Sequence, residues 1–331
     1  MNVHLPDAER KHRAFLGERW YIDKRNAGLS RFALAITALN ILGHLFLGFE
    51  QSWLTPFVAL AAAYSTEFIA ETVAAYGEGR RARYRGGLGR TVSFFLSAHI
   101  SGLAVGMLLF AAEQLWIIAF AASMAIGSKW IFRVRIANVD GTSTERHFLN
   151  PSNFGITVAL LLFPSVGIAP PYMFAENIVG IWDWLLPLAV IMTGSLLNTK
   201  LTGRMPLIGA WLAAFAAQAI LRSTVNGTPV AAALLPMTGF AFVLFTFYMI
   251  TDPGTTPSRP RGQAAFAAAV AVAYGVLMEL HIVFGLFYAL TIVTALRGLL
   301  LQTRFLMARA RQTERVAAHS TTGIPIEREL V

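Results

Sequence analysis

Apolar residues run almost uninterrupted through ten stretches of the chain, at 30–49, 54–75, 91–112, 115–131, 154–169, 182–197, 206–221, 230–250, 264–280 and 282–300. A helix rises ~1.5 Å per residue, so about 20 such residues cross a bilayer core of roughly 30 Å. A membrane β-barrel would instead alternate apolar and polar residues in segments of about ten. The pattern predicts an all-α polytopic membrane protein with about ten transmembrane helices, the last two nearly abutting at Glu279-Leu280-His281. The chain then divides into a basic amino-terminal segment, 1–29, a ten-helix domain, 30–300, and a polar, basic tail, 301–331.

The charges support this count independently. With both termini on the cytoplasmic side, 26 of the 27 Lys and Arg residues fall in segments that face the cytoplasm, and only Arg222 faces the other way. Glu50, Glu113, Glu176 and Glu279 collect on that far side. Cytoplasmic segments of membrane proteins carry this excess of cations. The first 30 residues lack the short apolar core and small-residue cleavage site of a signal peptide, so the amino terminus is expected to stay in the cytoplasm of a bacterium, with the chain multi-pass in its inner membrane.

Composition narrows the function classes. The 331 residues are 56% hydrophobic and 14% charged, with a mean hydropathy of +0.57, which excludes a water-soluble enzyme. The net charge of +9 reads as loops facing an anionic leaflet, so the bilayer rather than nucleic acid is the expected partner. The absence of cysteine excludes disulfides, thiolate metal sites, cysteine-ligated iron–sulfur clusters and a cysteine nucleophile. No second histidine stands at ligand spacing from His99, so no metal is expected, and no serine–histidine–acid set can be assembled. The glycines of Arg85-Gly86-Gly87-Leu88-Gly89-Arg90 lie between two spans, not in the strand–turn–helix context of a nucleotide loop.

Polar residues inside spans are costly, which makes their positions informative. Glu67 and Glu71 stand four apart in the second span and share a helix face. Glu67 reads as a proton or cation relay; Glu71, closer to Arg80, reads equally as such a relay or as an anchor that orders the basic loop after it. His99 is a third relay candidate or a satisfied packing residue. Gly102 and Gly106, four apart, allow a close helix approach, within the chain or between copies. Two segments look like more than connectors. In 146–155 Pro151 starts or breaks a helix that Asn150, Ser152 and Asn153 can cap. In 251–262 three prolines and two glycines end the eighth span, while Asp252, the hydroxyls of Thr251, Thr255 and Thr256, and Arg259 and Arg261 offer a polar cradle.

Three stretches carry a family resemblance: Gly127-Ser128-Lys129-Trp130-Ile131-Phe132; HFLNPSNFG at 147–155 running into 160–164; and MITDPGTTP at 249–257 followed by Arg261-Gly262. In this order they resemble the NqrB/RnfD family of flavin-carrying membrane subunits of electron-transport complexes. A closer resemblance, through LNILGHLFLGFEQSW, AHISGLA, GIAPPY and LPMTGFAFVLFTFYMITDPGTTPS, is to the UnbU-type membrane proteins found with enediyne biosynthesis genes, a secondary-metabolism context. The resemblance implies an electron-transfer subunit with redox partner proteins. The family tethers FMN to a threonine in a Gly-Ala-Thr context, and no such triplet occurs in this chain, so covalent FMN is not expected. A non-covalent flavin (FMN or riboflavin) or a quinone is the cofactor that the resemblance leaves, with Lys129, Asn150, Asn153, Thr251, Asp252 and Thr256 as the candidate cofactor-binding residues and Glu67, Glu71 and His99 as a proton or ion relay. A small-metabolite transporter and a cofactor-free scaffold subunit are the alternative functions.

Overall fold

The computed structural model describes residues 26–137, 143–170, 174, 177 and 179–321. The predicted basic segment up to residue 25, Glu176 and the last ten residues of the tail lie outside the described residues. Eleven helices are described: α1 (Asn26–Leu47), α2 (Thr55–Gly77), α3 (Leu88–Leu108), α4 (Leu115–Ile131), α5 (Pro151–Leu162), α6 (Trp182–Thr202), α7 (Met205–Asn226), α8 (Val230–Thr238), α9 (Phe240–Met249), α10 (Pro260–Glu279) and α11 (Gly285–Thr321). Seven of them are long and apolar enough to cross a membrane, and α8 with α9, bent by 64° at Gly239, makes an eighth candidate. The described chain is thus a predominantly helical polytopic membrane protein by architecture. Large apolar side chains such as Phe57, Val73, Trp184 and Leu188 are exposed on its flanks, where lipid rather than water is the matching solvent.

The two other predicted spans are the short helices α4, of 17 residues, and α5, of 12. At the helical rise α5 reaches about 18 Å, well under a bilayer core. Both lie at the centre: Ile117, Ala121, Ala122, Ala125, Ile126, Ile156 and Ala159 are fully buried. Gly155 lets them touch, since a β-carbon there would overlap the Ala121 carbonyl oxygen. The residues that follow α3 and α5 pair as short antiparallel strands, β1 (Leu109–Phe110) and β4 (Gly167–Ile168), with Leu109 opposite Ile168. That pairing satisfies backbone groups that a short helix leaves open away from water. Between α4 and α5 a hairpin of β2 (Arg133–Ala137) and β3 (Ser143–His147) leans on α11.

Small residues set the helix spacing in the first half. In α2 the buried positions repeat every four residues, Thr55, Ala59, Ala63, Glu67, Glu71 and Ala75. Gly102 and Gly106 of α3 face this stripe, and a β-carbon on Gly102 would stand 3.0 Å from that of Ala63. The glycine pair therefore serves contact within the chain. In the second half aromatic packing does the same work: Trp211 and Phe215 of α7 meet Phe242 and Phe245 of α9 and Tyr274 of α10.

The segment from 301 begins as helix, since α11 continues without a break to Thr321. No Gly or Pro occurs between Gly298 and Gly323, and Leu, Gln, Arg, Met and Ala are strong helix formers.

Candidate functional site

Each candidate from the sequence has a definite place. Glu67 and Lys129 meet across α2 and α4, with Lys129 Nζ 2.7 Å from Glu67 Oε2 and both side chains almost fully buried. Glu71, one turn further, is fully buried and points at the loop that follows α2. Arg80 Nη1 and Nη2 donate to its two oxygens at 2.6 and 3.2 Å, and the Arg83 Nε and backbone N–H donate at 2.7 and 2.6 Å. Four donors on one carboxylate make Glu71 the anchor of the basic loop. The hydrogen bonds to Glu71 and Glu78 hold the Arg80 guanidinium above its ordinary pKa. Arg83 and Arg133 also lie on the Trp130 ring, 5.2 and 5.0 Å from its centroid.

His99 joins three helices. Thr37 Oγ1 of α1 donates to its own helix at the Ala33 carbonyl, so it accepts from His99 Nε2 at 2.7 Å. The Nδ1 atom then accepts from the Tyr64 hydroxyl of α2 at 2.6 Å. Both ring nitrogens are used by a neutral imidazole, which fits packing better than metal ligation. Among the described residues no group of three metal-ligating side chains occurs.

The two polar segments meet. Asn150 caps α5, accepting from Asn153 N–H at 3.1 Å, with Pro151 in the first turn. Its Nδ2 crosses 99 residues of sequence to donate to the Met249 carbonyl at 3.0 Å. Met249 ends a π-helical turn, Phe245–Met249, whose Phe247 carbonyl accepts from both Asn198 and Thr251. Asn153 Nδ2 donates to the Phe287 carbonyl of α11 at 2.9 Å and to Thr291 Oγ1 at 2.7 Å; Thr157 bonds the same pair. Further along, Asp252 accepts from Gly254 N–H and Thr255 Oγ1, and Thr256 Oγ1 donates back to the Asp252 carbonyl. The arginines that hold this turn are Arg204 and Arg297 rather than the expected pair: Arg259 and Arg261 are exposed at the start of α10.

Thus Glu67 with Lys129, Glu71, His99, and the Asn150–Asn153 and Thr251–Thr256 groups occupy separate packed interfaces. The last two are linked through Met249, and their hydrogen-bond donors go to protein groups, while the buried Asn153 Oδ1 has no partner among the described residues. They do not line one common cavity among the described residues.

Room for a ligand lies elsewhere, at the turn between α10 and α11. A shallow, open cleft of about 470 Å³ lies there, lined by Tyr274, Met278, His281, Phe284 and Phe287 and by Ile168 of β4. Small-molecule pockets span roughly 300–1,000 Å³ and are mostly apolar with a few polar groups. Tyr274 is 6% exposed, stacked on Phe215, and its hydroxyl has no hydrogen-bond partner among the described residues. His281 and Phe284 hold φ of 56° and 62°, in the left-handed region that bulky residues avoid. Such backbone costs about 1–3 kcal/mol per residue and gathers at binding sites. Behind the cleft a water-sized apolar gap of about 30 Å³ shares Ile168, Leu286 and Phe287 and reaches Phe245 and Met249. Asn153 bonds the backbone of Phe287, which lines both the cleft and the gap, and Asn150 that of Met249, which lines the gap alone.

Sequence reasoning missed Tyr274 and Phe284 because both look like ordinary apolar-span residues. The available signal was the short turn at 280–284, which reverses two long helices without a glycine inside it. Compared with known proteins, the chain matches no family model and no curated protein.

Proposed function

We propose that this chain is a multi-pass subunit of a bacterial inner membrane, with ten crossings and both termini cytoplasmic, that holds a quinone or flavin ring without a covalent link and passes electrons between redox partner proteins. The ordered motifs at 127–132, 147–155 and 249–257 support the redox class by their resemblance to NqrB/RnfD proteins and to UnbU-type proteins of enediyne pathways. The observation that carries the reading is the cleft under the α10–α11 turn, apolar, about 470 Å³ in volume, with the buried Tyr274 at its edge. A flat ring with a carbonyl fits that chemistry: the aromatic walls desolvate its faces and the Tyr274 hydroxyl supplies a donor. Asn150, Asn153, Thr251 and Thr256 bond protein groups, and Asn153 supports the cleft wall at Phe287. Such a cofactor supplies electron storage, and the protein's part is to orient it and exclude water.

The visible spectrum of detergent-purified protein, before and after acid precipitation, tests this. Flavin absorbance that leaves with the acid supernatant, or saturable binding of added quinone, is the expected result. A colourless preparation that binds neither removes the redox reading.

A second reading, a small-metabolite carrier, is favoured by one feature, the Lys129–Glu67 pair buried between α2 and α4. Substrate flux in proteoliposomes that a Glu67→Gln variant abolishes while keeping a folded melting profile in detergent would select it.

A further inference from the structure

We infer that the start of α11 and the Tyr274 hydroxyl form a donor set for a negatively charged oxygen, so that the cleft holds a reduced, anionic ring more tightly than an oxidised one. The inference rests on the ring proposed above and names the redox state that the cleft favours. The first N–H groups of a helix have no carbonyl one turn back to bond, and they carry the positive end of the helix dipole. Helix α11 runs for 37 residues from Gly285, and Phe284, Gly285, Leu286 and Phe287 all line the cleft. In this first turn Phe287 N–H donates to the Phe284 carbonyl at 3.0 Å, and Tyr288 N–H reaches the same carbonyl at 3.5 Å. Among the described residues the N–H groups of Gly285 and Leu286 have no such partner.

A donor from α10 meets this helix start. A β-carbon on Gly285 would stand 3.2 and 3.3 Å from Tyr274 Cδ2 and Cε2, so glycine lets one edge of the Tyr274 ring pack close to the backbone of the first turn. The Tyr274 ring is held from another side by its stack on Phe215, at 5.1 Å between centroids. Tyr274 is 94% buried yet lines the cleft, and its hydroxyl has no partner among the described residues. A buried tyrosine hydroxyl ordinarily finds one. The hydroxyl and the helix start thus present their donors to one cleft, and no Asp or Glu among its lining residues competes for them. Hydrogen bonds to an ionised acceptor are roughly twice as strong as those to a neutral one, and the helix dipole adds to them. A flavin ring in its reduced, deprotonated form carries negative charge beside a ring carbonyl, whereas the oxidised ring is neutral. These donors therefore discriminate between the two forms, which a purely apolar slot does not.

The test uses the full chain in neutral detergent and riboflavin, which has the ring and no phosphate, so that only the ring can engage the donors. Oxidised and dithionite-reduced riboflavin, the latter without oxygen in mildly alkaline buffer, are compared by equilibrium dialysis. The natural chain is expected to bind the reduced form roughly tenfold more tightly, which raises the midpoint potential of the bound ring by about 30 mV for a two-electron couple. Tyr274→Phe and Leu286→Pro are each expected to cut that ratio to about threefold or less. Proline at 286 removes an N–H that the helix does not use and is tolerated in a first turn, so each variant keeps the test valid if the other does not fold. Equal affinity for the two forms, or a ratio that neither variant moves, overturns the inference and leaves the proposed ring in place. Binding of neither form also overturns it, and titration with a short-chain quinone then decides whether the proposed function stands.

Discussion

Lys129 Nζ lies 2.7 Å from Glu67 Oε2, an ion pair that ties α2 to the central helix α4 where neither side chain reaches solvent freely. Removing one partner of a buried pair strands the other charge, at about 3–5 kcal/mol, whereas apolar replacement of both is often neutral. Glu67→Leu and Lys129→Met are therefore expected to lower the melting temperature in detergent sharply, and the Glu67→Leu/Lys129→Met double variant to recover most of the loss. A double variant as unstable as the sum of the singles would show that the two residues do not act as a pair.

His99 ties α1 to the rest of the bundle through Thr37 and Tyr64. His99→Phe keeps the bulk but leaves the Tyr64 hydroxyl without its acceptor and Thr37 Oγ1 bonded to the Ala33 carbonyl alone, a loss of about 1–3 kcal/mol. Proteolysis near the start of α1 should then accelerate while the other segments keep their protection. Unchanged cleavage there would mean that α1 is held by apolar contact alone.

Two glycines of neighbouring segments should behave differently. A β-carbon at Gly155 overlaps the Ala121 backbone, while one at Gly127 meets nothing within 4 Å. Gly155→Ala should cost about 1–3 kcal/mol by overpacking, or prevent folding, and Gly127→Ala should be neutral in the same thermal melt.

The cysteine-free chain lends itself to topology mapping. Arg85→Cys and Ser258→Cys should react with a membrane-impermeant thiol reagent only from the cytoplasmic side, and Glu113→Cys and Thr228→Cys only from the far side. Labelling of residues 113 and 258 from one face would break the ten-crossing assignment.

The apolar runs made most helices legible, because a span must be continuously apolar whatever it packs against. They overstated α5, whose run from 154 to 169 ends as the β4 strand, since a run of apolar residues does not distinguish a helix from a short buried strand. Asn150 as a cap and Pro151 as a helix start were readable from local chemistry alone. What each polar residue faces was not: Asn153 finds its partner on Phe287, far along the chain, and no local pattern encodes that pairing. Arg204 and Arg297 escaped notice for the same reason, while Arg259 and Arg261, adjacent in sequence to the turn, are exposed.

The central claim, a ring held in the cleft at the α10–α11 turn, is tested most directly by titrating purified protein with a short-chain quinone and with riboflavin, beside a Tyr274→Phe variant of equal thermal stability. The account predicts saturable binding of one of them by the natural chain and roughly three- to tenfold weaker binding by Tyr274→Phe, the loss of one hydrogen bond. No binding of either ligand, or equal affinity in the two proteins, would contradict it.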